Sequence, residues 1–273
     1  MEFKPLKLKL KNVVSDDSSE DEKDSGNDDL GLTLEKLNLG PRKKLLVLNL
    51  GGLLVHRLHR REEYSVRKHG HPDFVSGNFL VFKRPFCDEF LRFCFQRFEV
   101  GIWSAAMRLN IDGVLSSIMG GLRGKLVFVW DQEECTDSGF RSLEKKEKPI
   151  FLKELKKLWE KKYSTLPWRI GQYSSTNTLL IDDDPYTALL NPPNTAIFPK
   201  KYKADDVNDT YLGPKGEMQL FLEGLEDADD VPTYVKEHPF GQPAITPSHP
   251  DWGFYSKIIR RFRNNGKDDE RKI

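Results

Sequence analysis

Asn49 stands at the end of a short apolar run, Leu45–Leu48, and is followed by Leu50 and by Gly51-Gly52. Such a run fits a strand buried on both faces. Glycines just after it let the backbone turn sharply and approach a ligand closely. Ligands of open α/β sheets lie at the carboxyl ends of the strands, so residues 49–52 are the first place to look for chemistry. Farther along, Asp182-Asp183-Asp184-Pro185 follow another apolar run, Thr178–Ile181. Taken alone, these aspartates read as a turn and helix cap, with Pro185 in the first helical turn. A third group is basic: His56, Arg57, His59, Arg60, Arg61, Arg67, Lys68, His69 and His71. It suits a positively charged collar for an acidic or phosphorylated peptide, and equally a solvated loop. No Cys or acidic residue is suitably interleaved to make its histidines a zinc site.

The elements that must position these residues alternate. Strands are expected at Leu45–Leu50, Phe79–Lys83, Val100–Trp103, Leu126–Trp130, Thr178–Ile181 and Ala196–Phe198. Helical patterns lie near Pro85–Arg97, Arg108–Met119, Pro149–Lys162 and Lys215–Gly224. On the first helix Phe86, Phe90 and Phe93 are spaced for one buried face. Alternation of this kind predicts a mainly parallel sheet with helices on both faces. Beyond Asp227 the chain is rich in Pro, Asp and Gly, with one amphipathic helix at Pro250–Asn264 that suits docking on the domain. The chain therefore divides into an arm over 1–42, a domain over 43–226 and a C-terminal extension over 227–273.

In the arm, eight acidic residues and four serines fall within the fifteen positions Ser15–Asp29. That composition cannot bury enough apolar surface to fold and reads as a disordered, solubilising tail. Ser15, Ser18, Ser19 and Ser25 are also candidate phosphoacceptors, whose modification would add charge to an already acidic arm. Over the whole chain 43 Lys and Arg balance 42 Asp and Glu, a net charge of +1. This argues against a general nucleic-acid or membrane binder. No apolar run approaches the length of a membrane span. No signal-peptide apolar region opens the sequence, and the N-terminal arm, with its acidic stretch at Ser15–Asp29, is too acidic for a typical mitochondrial transit peptide. Cys87, Cys94 and Cys135 have no metal spacing and fit a reducing compartment, hence a nuclear or cytosolic protein.

Five motifs in order carry a family resemblance: Lys44–Val55, Arg84-Pro85-Phe86, Trp103-Ser104, Lys153-Glu154-Leu155 and Ile181–Pro185. Together they resemble the phosphatases of the RNA polymerase II C-terminal domain, within the haloacid-dehalogenase superfamily. The resemblance covers about Lys43 to Tyr202. The runs Ile102–Leu115 and Leu126–Gly139 look most like a plant group of these proteins. It implies a haloacid-dehalogenase-like Rossmannoid sheet with a short basic cap insertion. It also implies an aspartyl-phosphate mechanism, in which one Asp attacks phosphorus and an Asp two residues on moves the proton. Strand alternation points both to one side.

This chain departs from that pattern. The nucleophile position is Asn49 and the acid/base position is Gly51; Leu53 stands where the family has Thr. An amide is a poor nucleophile and brings no charge to a metal, and glycine moves no proton. The resemblance assigns phosphate binding to Ser104 and Lys153 and the metal to Asp182 and Asp183. By itself Ser104 is an ordinary strand-end serine. Lys153, amid Lys145, Lys146, Lys148, Lys156 and Lys157, by itself reads as a solvated helix lysine. Magnesium, which needs hard oxygen ligands, is expected to bind weakly at most. The family's cation before the motif-three lysine is missing from Asp131-Gln132-Glu133-Glu134-Cys135. The expectation is a phosphatase-like protein without hydrolysis that binds or scaffolds protein partners, phosphorylated ones included. The alternatives are a residual magnesium-dependent Ser/Thr phosphatase and a receptor-like subunit of the mitochondrial inner-membrane translocase, whose receptor carries the same domain.

Overall fold

The computed structural model describes residues 43–62 and 71–270, and side chains as far as Arg263. All of these belong to one of the chain's two compact units, Arg42–Ile273. The acidic arm, with its four serines, lies outside the described residues, as do Arg67, Lys68 and His69.

In chain order the elements are β1 (Leu45–Leu48), β2 (Val55–His59), β3 (Phe74–Ser76), β4 (Phe79–Lys83), α1 (Cys87–Arg97), β5 (Glu99–Trp103), α2 (Arg108–Met119) and β6 (Phe128–Trp130). Then follow β7 (Thr136–Arg141), β8 (Pro149–Leu152), α3 (Lys156–Trp159), β9 (Thr178–Ile181), β10 (Ala196–Ile197), α4 (Glu217–Asp227), α5 (Val231–Glu237) and α6 (Trp252–Glu270). Five strands form a parallel sheet in the order β10-β9-β1-β5-β6. The fold is α/β, with β1 at the centre of the sheet.

Alternation along β1 divides the core. Leu46 and Leu48 join the cluster built with Phe90, Leu91, Ile111 and Leu115 of α1 and α2 and with Leu222 of α4. Leu45 and Val47 face the other way, onto Trp103, Trp130, Leu155, Leu158, Trp168 and Tyr173. All four β1 side chains are fully buried. A strand packed on both faces has no room for a polar residue, so its first polar side chain, Asn49, comes where the strand leaves the core.

Several elements differ from expectation. β4 belongs not to the parallel sheet but to a separate antiparallel one, β2-β4-β3. The described part of the basic insertion is thus the strand β2, followed by a short 3-10 turn at Arg60–Glu62, and the exposed His71 ahead of β3. The span Pro149–Lys162 is not one helix. Residues 149–152 pair with β7 as a hairpin, burying Ile150 and Leu152 on one side, and only Lys156–Trp159 are helical. The second face of the sheet is therefore covered by one helical turn and an aromatic-rich loop. Phe86 is not on the buried face of α1. It precedes the helix at φ 63° and is 40% exposed, because the turn after Pro85 carries its side chain out. Two helices, not one, lie beyond Asp227.

The C-terminal residues pack against the hairpin: Tyr255 and Ile258 of α6 are buried with Ile150, Leu152 and Tyr186. Ile258→Ala is expected to lower stability by about 2–5 kcal/mol, the cost of an aliphatic truncation in a closed core. Urea unfolding would check it, and an unchanged midpoint would mean that the helix is not anchored there.

Candidate functional site

The parallel register aligns Leu48 with Ile102 and with Ile181. Asn49, Trp103 and Asp182 therefore end the three central strands side by side. The Asn49 backbone N–H donates to Ile181 O at 2.9 Å and extends the ladder by one bond. The β7–β8 hairpin delivers Lys153 directly after Leu152. There its backbone N–H donates to Thr187 O at 2.7 Å, and its carbonyl accepts from Asn191 Nδ2 at 2.9 Å. Lys153 is 1% exposed, not a solvated helix lysine.

Its ammonium donates to Asp182 Oδ2 at 2.6 Å and to Asn49 Oδ1 at 3.0 Å. The other end of the Asn49 amide, Nδ2, donates to Gly51 O at 2.7 Å and to Asp183 Oδ1 at 2.7 Å. The partners fix which end is which. An ammonium can only donate, and a carbonyl and an ionised carboxylate can only accept. Asn49, Lys153, Asp182 and Asp183 thus form one buried network, although the sequence scatters them.

Ser104 ends β5 close by and is buried, but its Oγ accepts from Ala106 N at 3.3 Å in a local turn. Among the described residues no hydrogen bond joins it to the other four.

The Gly51-Gly52 turn has two distinct constraints. At Gly52, with φ +77°, an added Cβ would lie 2.2 Å from Asp183 Oδ2, so the carboxylate packs directly on bare backbone. Gly51 is open by comparison. A Cβ there would first meet Arg57 Nη2 at 3.8 Å and Nε at 3.9 Å. Arg57 comes from β2, donates to Asn110 O at 3.3 Å and lies over the Phe79 ring at 5.4 Å. Among the described residues it has no carboxylate partner, and burial draws its pKa down. A guanidinium thus borders the open position of Gly51.

Two more cations approach from loops. Lys201 Nζ lies 2.7 Å from Asp183 Oδ2 and 3.7 Å from Asp184 Oδ1. Lys148 Nζ lies 2.5 Å from Asp184 Oδ2, which also accepts from Tyr186 Oη at 2.9 Å. Burial, then the neighbouring Asp182, push the Asp183 carboxyl above the usual range, against the pull of Lys201. Burial pushes Asp184 the same way, but Lys148 and Lys201 outweigh it and hold that carboxyl low. The pocket behind the aspartates is about 380 Å³ and is lined by Asp183, Asp184, Lys201 and residues of the C-terminal segment such as Gln242 and Tyr255.

Sequence reasoning gave Lys201 and Lys148 no role. A signal did exist for Lys201, which follows the edge strand β10 at its carboxyl end, where sheet topology collects ligand-facing loops. The three cysteines are buried, and desolvation raises all their pKa values, Cys87 to about 12 and Cys135 to about 11. Thiols so raised stay protonated near neutral pH.

The family model of the NLI interacting factor-like phosphatases matches residues 44–232. The chain belongs to this family. Its fold is accordingly of the haloacid-dehalogenase type. An uncharacterized FCP1 homology domain-containing protein of Schizosaccharomyces pombe is 26% identical over 205 residues, covering 72% of this chain and 78% of that one. Among solved structures, the fission yeast RNA polymerase II CTD phosphatase Fcp1 bound to beryllium fluoride is 14% identical, with a TM-score of 0.41 over 88% of this chain and 68% of that one. A second Fcp1 structure has a TM-score of 0.39 at 14% identity, covering 80% of this chain and 62% of that one. Among the described residues no helix is long and apolar enough to cross a membrane.

In this phosphatase family member the aspartates 182–184 are close enough to suggest a cation site, their oxygens lying within 4.8 Å of one another. The donor set does not fit magnesium. Magnesium demands hard oxygen ligands in near-octahedral array. Asn49 turns an NH2 group, which has no lone pair to give, between Gly51 O and Asp183 Oδ1. The carboxylate oxygens already face donors or cations; Asp183 Oδ2 has an ion-pair contact but no hydrogen bond among the described residues. Asp182 Oδ1 accepts from Asp184 N at 3.0 Å, and lysines face Asp182 Oδ2, Asp183 Oδ2 and both oxygens of Asp184.

Proposed function

We propose that this chain is a phosphatase-like protein that has lost hydrolysis and binds phosphorylated protein segments in the nucleus or cytosol. One observation carries the reading. At the end of β1 the nucleophile is an amide and the acid/base position is bare, yet the Lys153–Asp182 pair beneath it is kept. An amide locked between an ammonium and a carboxylate has no route to an aspartyl-phosphate. Arg57 supports the binding half of the reading. It is a half-buried guanidinium without a carboxylate partner among the described residues, bordering the open Gly51. A guanidinium matches phosphate geometry with two parallel donors. Ser104 and Lys153 are the further phosphate-side residues in this reading, and Asp182 and Asp183 hold the lysines in place.

The test compares a phosphoserine peptide with its unphosphorylated twin by fluorescence anisotropy on the full chain. The phosphorylated form should bind more tightly. Arg57→Ala should weaken it by about ten- to a hundredfold, the worth of a charge-assisted hydrogen bond. Equal binding of the two peptides would remove the reading. p-Nitrophenyl phosphate should stay unhydrolysed; turnover that Asp182→Ala abolishes would instead mark a residual phosphatase.

A further inference from the structure

The misfit with magnesium leaves an electrostatic question. Asp183 has a side chain only 1% exposed, and an unpaired buried carboxylate is costly enough that it must be neutralised or paired. Asn49 supplies only an amide dipole. Lys153 is spent on Asp182 and Lys148 on Asp184. Among the described residues the one full positive charge within ion-pair distance of Asp183 is Lys201.

The geometry points to Lys201 as the resident cation of this site. We propose that its ammonium takes over the charge-neutralising task of a divalent ion, so that the site is complete without metal. Lys201 touches two of the three carboxylates, at 2.7 Å and 3.7 Å. With Lys148 and Lys153 it sets three ammoniums against the carboxylates of Asp182, Asp183 and Asp184, which closes the local charge.

The loop that carries Lys201 is fastened on both sides. The backbone N–H of Tyr202 donates to Gly52 O at 2.8 Å, tying the residue after Lys201 to the glycine turn beneath Asp183. Gln242 Nε2 donates to Asp183 O at 3.0 Å and to Pro199 O at 3.1 Å, joining the two loops from behind. Gln242 N donates to Phe198 O at 2.7 Å. These bonds do not involve the ammonium, so the backbone delivers Lys201 to Asp183 independently of their attraction. Burial alone would lower the lysine's pKa, but Asp183 and Asp184 outweigh it and hold the ammonium above the usual lysine range. A magnesium ion entering here would have to displace Lys201 and leave its charge alongside.

The inference concerns the site's own charge and holds whether or not a phosphoprotein binds. It is tested on the full chain by thermal unfolding in EDTA and in millimolar magnesium. The wild type should unfold at the same temperature in both. Lys201→Met should unfold earlier in EDTA and regain part of the loss in magnesium. Calorimetric titration of magnesium into Asn49→Asp and Asn49→Asp/Lys201→Met supplies a second comparison. Removing the lysine should tighten magnesium binding by about tenfold or more, since site charge tunes such affinities. A wild-type chain stabilised by magnesium would overturn the proposal. So would equal magnesium affinity with and without Lys201. The wild-type measurement needs no variant to fold.

Discussion

Lys153→Met is expected to lower the unfolding free energy by about 3–5 kcal/mol, because it leaves one half of a buried ion pair behind. Lys153 and Asp182 are each 1% exposed and lie 2.6 Å apart. The lysine's cost of burial is already met by two acceptors, Asp182 Oδ2 and Asn49 Oδ1. Methionine fills much of the same volume but donates to neither. The Asp182 carboxylate would then face an apolar side chain, and the Asn49 carbonyl would lose its donor. A domain of this kind is stable by about 5–15 kcal/mol in total, so the variant should be strongly destabilised. Urea unfolding measures the loss. Adding Asp182→Asn should recover part of it, since the amide carries no charge and its oxygen can still accept from Asp184 N. A loss below about 1 kcal/mol, the range of an exposed pair, would mean that the lysine reaches solvent.

Restoring the two carboxylates alone, as Asn49→Asp with Gly51→Asp, is expected to leave p-nitrophenyl phosphate unhydrolysed. Space is not the obstacle. Gly51 is not in the left-handed region, and a Cβ there meets nothing closer than Arg57 Nη2 at 3.8 Å. The obstacle is charge. A carboxylate at 51 would pair with the Arg57 guanidinium, and an opposite charge that close keeps a carboxyl ionised. A general acid must instead hold a proton to give to the leaving oxygen. At 49, a carboxylate would lie where Nδ2 now donates to Asp183 at 2.7 Å, turning an attraction into a repulsion. Adding Arg57→Ala and Lys201→Met to the pair frees the acid and opens the cation position. Turnover in magnesium should then rise by about a hundred- to ten-thousandfold over the double variant, the usual worth of general acid–base help. If the double variant turned over within about tenfold of the quadruple one, the two cations would not be what blocks the chemistry.

The absence of acidic side chains at 49 and 51 was legible in the sequence by itself. Four apolar residues ending in Asn49 and Gly51 form a local pattern, and a buried strand admits a polar side chain only where it leaves the core. The central strands and α1, α2 and α4 were legible for the same reason, since apolar periodicity is a short-range signal. Where local patterning misled, a partner distant in the chain had decided the outcome. Pro149–Leu152 reads as the start of a lysine-rich helix, but β7 takes it into a hairpin. At Phe86 the cause is local instead: it keeps helical spacing with Phe90, yet the turn after Pro85 exposes it.

The site's electrostatics belonged to the tertiary structure alone. The bond from Lys153 to Asn49 joins residues 104 apart, and the bond from Asn49 to Asp183 joins residues 134 apart. Residue type alone does not distinguish Lys153 from the lysines around it, or Lys201 from Lys200; motif order marks the first and its place after an edge strand marks the second, but neither shows which carboxylate it meets. Composition makes all of them look like solvent charges. Their difference lies in which carboxylate each meets and how much water remains there, and only the packing of separate loops at the end of one parallel sheet sets those two quantities.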